Sequence, residues 1–464
     1  MKTESRPTAE VVAAEIAPGQ EGALRRFASW RSAFVISLGG SVLVAVSLGP
    51  IAAALGPASV VVWSVTAVVG VLQCLMITEL AAMFPHKSGG TPTYAHEGFK
   101  HVTPLVGAVS NWGYWLGWLP VIPVNFVLAA GYLRATFFPG LNDLATAVVL
   151  TLLLFTVNWF GLALGVWSSL VMAVCALIPL TLIAFSPLFH SSLFHTEYVS
   201  PFVPLGGSWS SMASWLLIAK WMFVAIWSAY AFESASTIVA ELKDPHRDMP
   251  KAMTAASSVG LLAYVIVPFM LLATVGTETL SKDPAIAFLP AASAIFGRAG
   301  EIVVTIMLVA ALLLGAQTGI IGASRVLYEM SRDGLTLKQF SRLNRRNVPV
   351  GSTVWNLAVT LGLLFVFKTN IVNLVACSNV GYVLTFMVVV PAFISLRRRR
   401  PDAPRLFRLP GYFVPIAMLV TLFNWVIFFV GGMQWERRVM LLGIALVLTF
   451  IPLYWVRARQ ERAS

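Results

Sequence analysis

Apolar and polar positions along the chain come in long blocks, without the short two- or four-residue alternation of a soluble fold. Apolar runs fall at 32–55, 58–84, 104–134, 144–164, 166–187, 213–241, 252–276, 299–328, 351–368, 370–396, 411–432 and 437–457. Each is near or above the ~20 residues a helix needs to cross a bilayer. Inside hydrocarbon the backbone must satisfy its own hydrogen bonds, so each run predicts a helix. The pattern predicts an all-α polytopic membrane protein with twelve transmembrane helices and both ends on one side. Polar tails fall at 1–31 and 458–464. A loop at 188–212 carries His190 and His195 but no Lys or Arg. Residues 277–298 are expected to form short helices over an entrance.

One run departs from the rest. Within 213–241 the chain reads Trp227-Ser-Ala-Tyr-Ala-Phe-Glu-Ser-Ala-Ser236, which sets Glu233 deep in apolar surroundings. A carboxylate at that depth costs roughly 2.5–3.5 kcal/mol or more unless a partner or cavity receives it. Small residues around it, Ser228, Ala229, Ala231, Ser234, Ala235 and Ser236, allow close helix approach and supply hydrogen bonds where a helix opens. The run is predicted to be a broken helix lining a solute site. A second break is expected in the first run at Ser47-Leu48-Gly49-Pro50, because proline removes a backbone donor and clashes with the turn before it. The two breaks lie five runs apart. Five is odd, so 32–187 and 213–396 read as two halves of opposite topology with a site between them. A basic loop and two further spans, 397–457, follow.

Charge then orients the chain. Only 11% of the 464 residues are charged, against ~25% for soluble domains. The net charge of +12 does not indicate a nucleic-acid partner, because Lys and Arg sit between the apolar runs. Twenty-five of them lie on one side and six on the other, which places both termini in the cytoplasm and the chain in the plasma (inner) membrane, with lipid as its surroundings. Arg397–Arg400 then form a stop on the cytoplasmic side. Cys74, Cys175 and Cys377 fall in apolar runs with no metal or redox spacing and read as buried thiols.

Several side chains are candidates for chemistry, each with a plainer alternative. Glu233 is a coupling carboxylate or an amine's counter-charge; the alternative is an acid bonded to opened backbone. Trp227, six residues earlier, is a gate or ordinary packing. Lys220 shares a helix face with Trp227 and either reaches the outer interface or lines a vestibule. Asn125, Gln317, Thr318 and Asn379 face solute or only another helix. Glu79 is expected to pair with basic loop residues. His96-Glu97…His101 has its histidines five apart, about 140° round a helix, which does not fit a zinc pair. No metal and no cofactor are expected. No phosphate cradle and no nucleophile–base set is visible, so ATP-driven transport and enzyme chemistry are not indicated.

Several stretches resemble the amino acid–polyamine–organocation (APC) superfamily, of the amino acid permease type. They are Trp227 to Ser236 with Glu-Leu-Lys-Asp-Pro-His-Arg-Asp-Met-Pro-Lys-Ala252 after it; Glu79-Leu80, Phe84-Pro85 and Gly89-Gly90-Thr-Pro-Thr-Tyr94; Gly113-Tyr-Trp-Leu-Gly-Trp118; and Ser324-Arg-Val-Leu-Tyr-Glu-Met-Ser-Arg-Asp333-Gly334-Leu. The resemblance implies a leucine-transporter-like inverted five-plus-five helix repeat plus two extra helices. It also implies solute binding between spans 1, 3, 6, 8 and 10 by alternating access. Carried over by position, Trp227 is the gate and Glu233 the proton-coupling or amine-facing carboxylate. Trp118, Ile122 and Asn125 line the third span; Ser47, Gly49 and Pro50 the first; Ala229 and Ala231 the sixth; Gln317 and Thr318 the eighth. The family's glycine-rich break in span 1 is replaced by Ser47–Pro50, and Pro50 removes a donor from any carboxylate site there.

The expected function is secondary active transport of amino acids or related amines, proton-coupled or by exchange. The alternatives are a polyamine carrier using Glu233 as counter-charge and, from another class, a nutrient sensor that binds without transporting.

Overall fold

A computed structural model describes residues 24–160, 169–175, 178, 181–182, 185–187, 190–368 and 370–462. Among these the protein is all-helical; two isolated bridges, Ala28 with Leu242 and Leu343 with Pro349, are its only extended pairings. Nine helical stretches among the described residues are long and apolar enough to cross a membrane. One of them, Trp30–Met83, contains both of the first two expected spans. Asp143–Trp159 is a shorter apolar helix. The expected span at 166–187 is described only in pieces, with 166–168, 176–177, 179–180 and 183–184 outside the described residues.

The first run forms α1 (Trp30–Ser41) and α2 (Val44–Leu55), and the chain turns at Gly56 into α3 (Ser59–Met83). A short α4 (Thr91–Phe99) precedes α5 (Pro104–Trp118), α6 (Val121–Thr136) and α7 (Asp143–Trp159). Their starts follow local chemistry. Pro104 stands in the first turn of α5, where its missing N–H costs nothing, and Thr103 caps the Leu105 N–H at 3.3 Å. Asn142 caps α7 by accepting from the Ala145 N–H at 2.9 Å. Next come α8 (Met212–Ala229) and a tighter 3₁₀ segment, Ala231–Glu241. They lead to α9 (Pro245–Lys282), α10 (Phe288–Arg332), α11 (Val350–Phe367) and α12 (Ile371–Arg399). The chain ends with α13 (Phe413–Val426), α14 (Arg437–Leu448) and α15 (Phe450–Arg462).

The kinks of α9 and α10 fall at Gly276 (φ 72°) and Gly297 (φ 61°), in the left-handed region that favours glycine. They set off 277–282 and 288–296 as short helical pieces around Pro284–Ile286, as expected for 277–298.

Packing follows burial. α9 lies against α1, α2 and α3, α10 against α6, and α12 against α5 and α4. At the α5–α12 crossing Gly113 meets Gly381 backbone to backbone; a Cβ on Gly113 would come 2.6 Å from the Gly381 carbonyl oxygen. Small residues at such a crossing let two membrane helices approach closely. Trp63, Trp115, Trp118 and Trp227 are fully enclosed, whereas Phe365, Leu419, Leu422 and Leu441 are exposed. Exposed apolar faces on α11, α13 and α14 are what a helix facing lipid presents.

The first interruption is not where the sequence suggested. Ser47–Pro50 lies inside α2, and the α-helix is interrupted instead by a tighter turn at Val42–Leu43, just after Gly39-Gly40-Ser41, where the Leu43, Ala45 and Val46 N–H groups bond three residues back. Pro50 is the seventh residue of α2, so its missing N–H leaves the Val46 carbonyl without its usual donor inside the helix.

Candidate functional site

The second interruption lies as expected. α8 ends at Ala229, and the chain tightens into the 3₁₀ segment that carries Glu233 in its first turn. The two interruptions touch. The Ala231 carbonyl lies directly on Gly40, and the Ala229 carbonyl lies on Gly70 of α3. Tyr264 of α9 reaches both: its hydroxyl is 2.8 Å from the Ser228 carbonyl and 3.3 Å from the Gly40 carbonyl. Further bonds fasten α1 to the 3₁₀ segment and to α10. Ser234 and Thr318 each donate to the Ile36 carbonyl at 3.2 Å, and the Ala235 N–H donates to Ser37 Oγ at 3.1 Å.

Glu233 is fully buried. Four hydroxyls surround it: Tyr114 of α5 donates at 2.7 and 2.9 Å to its two oxygens, Ser236 at 3.1 Å, Tyr382 of α12 at 3.5 Å, and Thr91, the first residue of α4, also donates. The carboxylate is therefore enclosed by side chains from four elements and not open to a wide cavity. Among the described residues no basic group pairs with it. Hydrogen bonds to a charged group contribute about 1.5–3 kcal/mol each, which offsets its burial. A hydroxyl can donate to a carboxylate or accept from a carboxylic acid. The same four groups can thus serve either protonation state.

The other candidates are distributed as follows. Trp227 donates its indole N–H to the Gly117 carbonyl at 2.7 Å, tying α8 to α5. The Trp118 indole nitrogen and Asn125 Oδ1 are buried without a hydrogen-bond partner, while Asn125 Nδ2 donates to the Val121 carbonyl at 2.7 Å. Gly315 faces that free oxygen, and Gly319 lies against Ile122. Ser47 Oγ is 3.5 Å from Ser228 Oγ. Gly49 lies instead beneath the Pro284 carbonyl, and Pro50 is half-buried. Gln317 and Asn158 bond each other amide to amide at 2.8 and 2.9 Å. Lys220 sits 4.7 Å from the centre of the Trp435 ring, a cation–π contact on the α8–α14 side.

Charged groups gather at one end of the bundle. Glu79 accepts from Arg397 at 2.6 and 2.8 Å and from the Leu409 N–H at 2.7 Å, with Arg405 at 3.6 Å. Arg325 lies 3.1 Å from Glu241, whose carbonyl accepts from the Phe27 and Ala28 N–H groups. Lys87 bonds Asp333 and lies 3.1 Å from Glu97. Burial works to raise the Glu97 carboxyl, but Lys87 and Lys100 outweigh it and hold it below the usual carboxylate range. Burial works to lower the Lys87 ammonium, but Asp333, Glu329 and Glu97 raise it on balance. No group of three metal-ligating side chains occurs among the described residues.

Sequence reasoning singled out Glu233, Trp227 and, among the small residues, Ser236, but passed over Thr91, Tyr114 and Tyr382. Thr91 and Tyr114 stand in the Gly89–Tyr94 and Gly113–Trp118 stretches that carry the family resemblance.

A family model described as amino acid permease matches residues 29–452. The D-serine/D-alanine/glycine transporter of Escherichia coli is 22% identical over 69% of this chain and 72% of its own length. An amino-acid permease of Bacillus subtilis is 25% identical over 77% of each chain. The arginine/agmatine antiporter of Chlamydia trachomatis is 24% identical over 82% of this chain and 80% of its own. With the family match spanning nearly the whole sequence, the chain belongs to the amino acid permease family and is an integral membrane transporter, not an enzyme.

Proposed function

We propose that this transporter carries amino acids or related amines across the cytoplasmic membrane by alternating access, driven by protons or run as exchange. The observation that carries the reading is the position of Glu233. Among the described residues it is a buried acid held by hydroxyls alone, one turn from the place where two interrupted helices meet. An acid kept inside a membrane bundle without a basic partner meets its counterpart in a passing proton or a passing amine.

The architecture behind this reading is twelve spans: two inverted five-span repeats, 32–187 and 213–396, then two further helices in 397–457. Two interruptions lying five runs apart support it. The 25-to-6 distribution of basic residues supports cytoplasmic termini, with the Glu79, Glu241 and Lys87 clusters on the inner side. Solute enters from outside beneath Trp227 and meets the interrupted helices at Gly39–Leu43 and Ala229–Glu233. The role read for Ser47, Gly49 and Pro50 passes to Gly39–Leu43, because the break lies there; the objection that Pro50 removes a donor falls away with it. Trp118, Ile122 and Asn125 form the side wall, and Asn125 Oδ1 and the Trp118 N–H are free to bond a ligand. Gln317 and Thr318 back this region from α10.

The four-hydroxyl cage closes the inner side, because it joins α4, α5, the 3₁₀ segment and α12. A proton on Glu233 removes the charge that draws the hydroxyls together, so the cage loosens as the solute is released inward. The test is pH-dependent uptake into proteoliposomes. Glu233→Gln is expected to transport with little response to a pH gradient; full pH-dependent uptake by this variant overturns the proton role. Competition of unlabelled putrescine against labelled alanine separates amino-acid carriage from polyamine carriage.

A further inference from the structure

The connection from α3 to α4 is short, and buried acids hold it at both ends. At its far end Thr91 bonds Glu233. At its near end Lys87 bonds Asp333. Next to Lys87, the Ser88 backbone faces Glu329, and Ser88 Oγ is buried without a partner. Gly89 packs so tightly that a Cβ there would come 2.8 Å from Glu329 Cβ, and its N–H donates to the Thr237 carbonyl at 3.3 Å. Gly90 lies against Ser236 and Thr237 of the 3₁₀ segment.

Glu329 itself is 3% exposed, and its Oε2 has no hydrogen-bond partner. It lies one turn before Asp333 on α10. The charged groups facing it are Asp333 and Arg332 from its own helix end and Lys87 from the connection. Tyr94 of α4 faces both Glu329 and Glu233, and Glu97 stands behind Lys87. Arg325, one turn earlier, is engaged by Glu241. A second buried acid this close to Glu233 is costly to keep, and nothing in the transport reading uses it.

We propose that Glu329 is a positioning residue for the transport site. With Asp333 it anchors Lys87 and Ser88, and the anchored connection 87–91 delivers the Thr91 hydroxyl to Glu233. The functional consequence rests on the proposed role of Glu233; the anchoring does not. Release of Glu329 or Lys87 frees the connection, withdraws Thr91 and alters Glu233 without touching it.

The anchoring is tested with a Ser88→Cys reporter in nanodiscs, read as polar-maleimide labelling above that of the parent chain. Labelling is expected to be slow in the reporter alone. It is expected to rise on the order of tenfold when Glu329→Gln or Lys87→Met is added, the size expected when a buried charge-assisted contact is lost. Lys87→Arg is expected to restore slow labelling. If Glu329→Gln does not fold, the Lys87→Met and Lys87→Arg pair decides alone. Labelling by Lys87→Met as slow as in the reporter alone overturns the proposal.

The functional link is read separately from pH profiles of uptake. Thr91→Val and Glu329→Gln are expected to displace the profile alike, and together no more than either alone. Additive displacement overturns the link. A parent that shows no pH response sinks the proton role of Glu233, while labelling still decides the anchoring.

Discussion

The carbonyl of Ala231 rests on the Cα of Gly40, so the two interrupted helices touch at their interruptions. A Cβ at position 40 would come 2.8 Å from Ala231 Cβ and 2.9 Å from its carbonyl carbon. Only a residue without a side chain fits there while the breaks stay in contact.

Gly40→Ala is therefore expected to lower stability by about 1–3 kcal/mol, the range for overpacking a tight site, and to depress transport. Gly362→Ala is the control: nothing lies within 4 Å of a Cβ there, and replacing a helical glycine contributes up to about 1 kcal/mol. Thermal unfolding in detergent should show the first variant losing stability and the second holding or gaining.

Tyr114 and Tyr382 should differ in a graded way. Tyr114 bonds both Glu233 oxygens at 2.7 and 2.9 Å, whereas Tyr382 reaches one at 3.5 Å. Tyr114→Phe is expected to weaken the cage by about 1.5–3 kcal/mol, the scale of a hydrogen bond to a charged group, and to slow transport strongly. Tyr382→Phe should cost less. Initial uptake rates of the two variants at one pH give the comparison; equal rates would show that the distances do not rank the contacts.

The Glu79–Arg397 pair predicts a double-mutant result. Glu79→Met leaves two arginines near an empty apolar site, at roughly 3–5 kcal/mol for breaking a buried pair. Removing Arg397 as well, as Glu79→Met with Arg397→Met, should recover part of that loss. Melting temperatures of the parent, both single variants and the double variant check the coupling.

Acid should loosen α4 through Glu97. Although burial opposes it, Lys87 and Lys100 hold this carboxyl below its ordinary value, so it favours the folded state while ionised. That contribution is present above an unfolded carboxylate value of about 4.3 and is lost as pH falls through the lower folded value. The parent should therefore lose melting temperature more steeply than Glu97→Gln on acidification below about pH 4.3.

Gln317 and Asn158 satisfy each other. Gln317→Leu is expected to lower stability by about 1–3 kcal/mol by stranding Asn158 Oδ1, since Asn158 Nδ2 keeps its bond to the Leu154 carbonyl, with little change in substrate affinity. Uptake KM beside the melting temperature separates this from a direct solute contact.

Much of this was legible beforehand. Blocks of apolar residues carry the all-helical, membrane-spanning class because hydrocarbon leaves the backbone few alternatives. Glu233 stood out for the same reason, and the pairing of Glu79 followed from its place near basic loops. The first break was misplaced because Pro50 is the louder signal, yet the helix runs through it and loses a single hydrogen bond there. Gly39-Gly40 marked the true position, but its meaning comes from Ala231, nearly two hundred residues away. The hydroxyl cage escaped notice because Thr91, Tyr114 and Tyr382 look like ordinary helix residues until four separate elements converge. Long-range convergence of that kind leaves no local trace in a sequence.

Tyr264 owns one hydrogen and stands within reach of two carbonyls, at Ser228 and Gly40. It can satisfy only one of them fully at any instant. Bending that draws Ser228 away hands the hydrogen to Gly40, and the reverse motion returns it. The two kinks thus compete for a single donor, and neither can straighten or fold further without changing the bonding of the other.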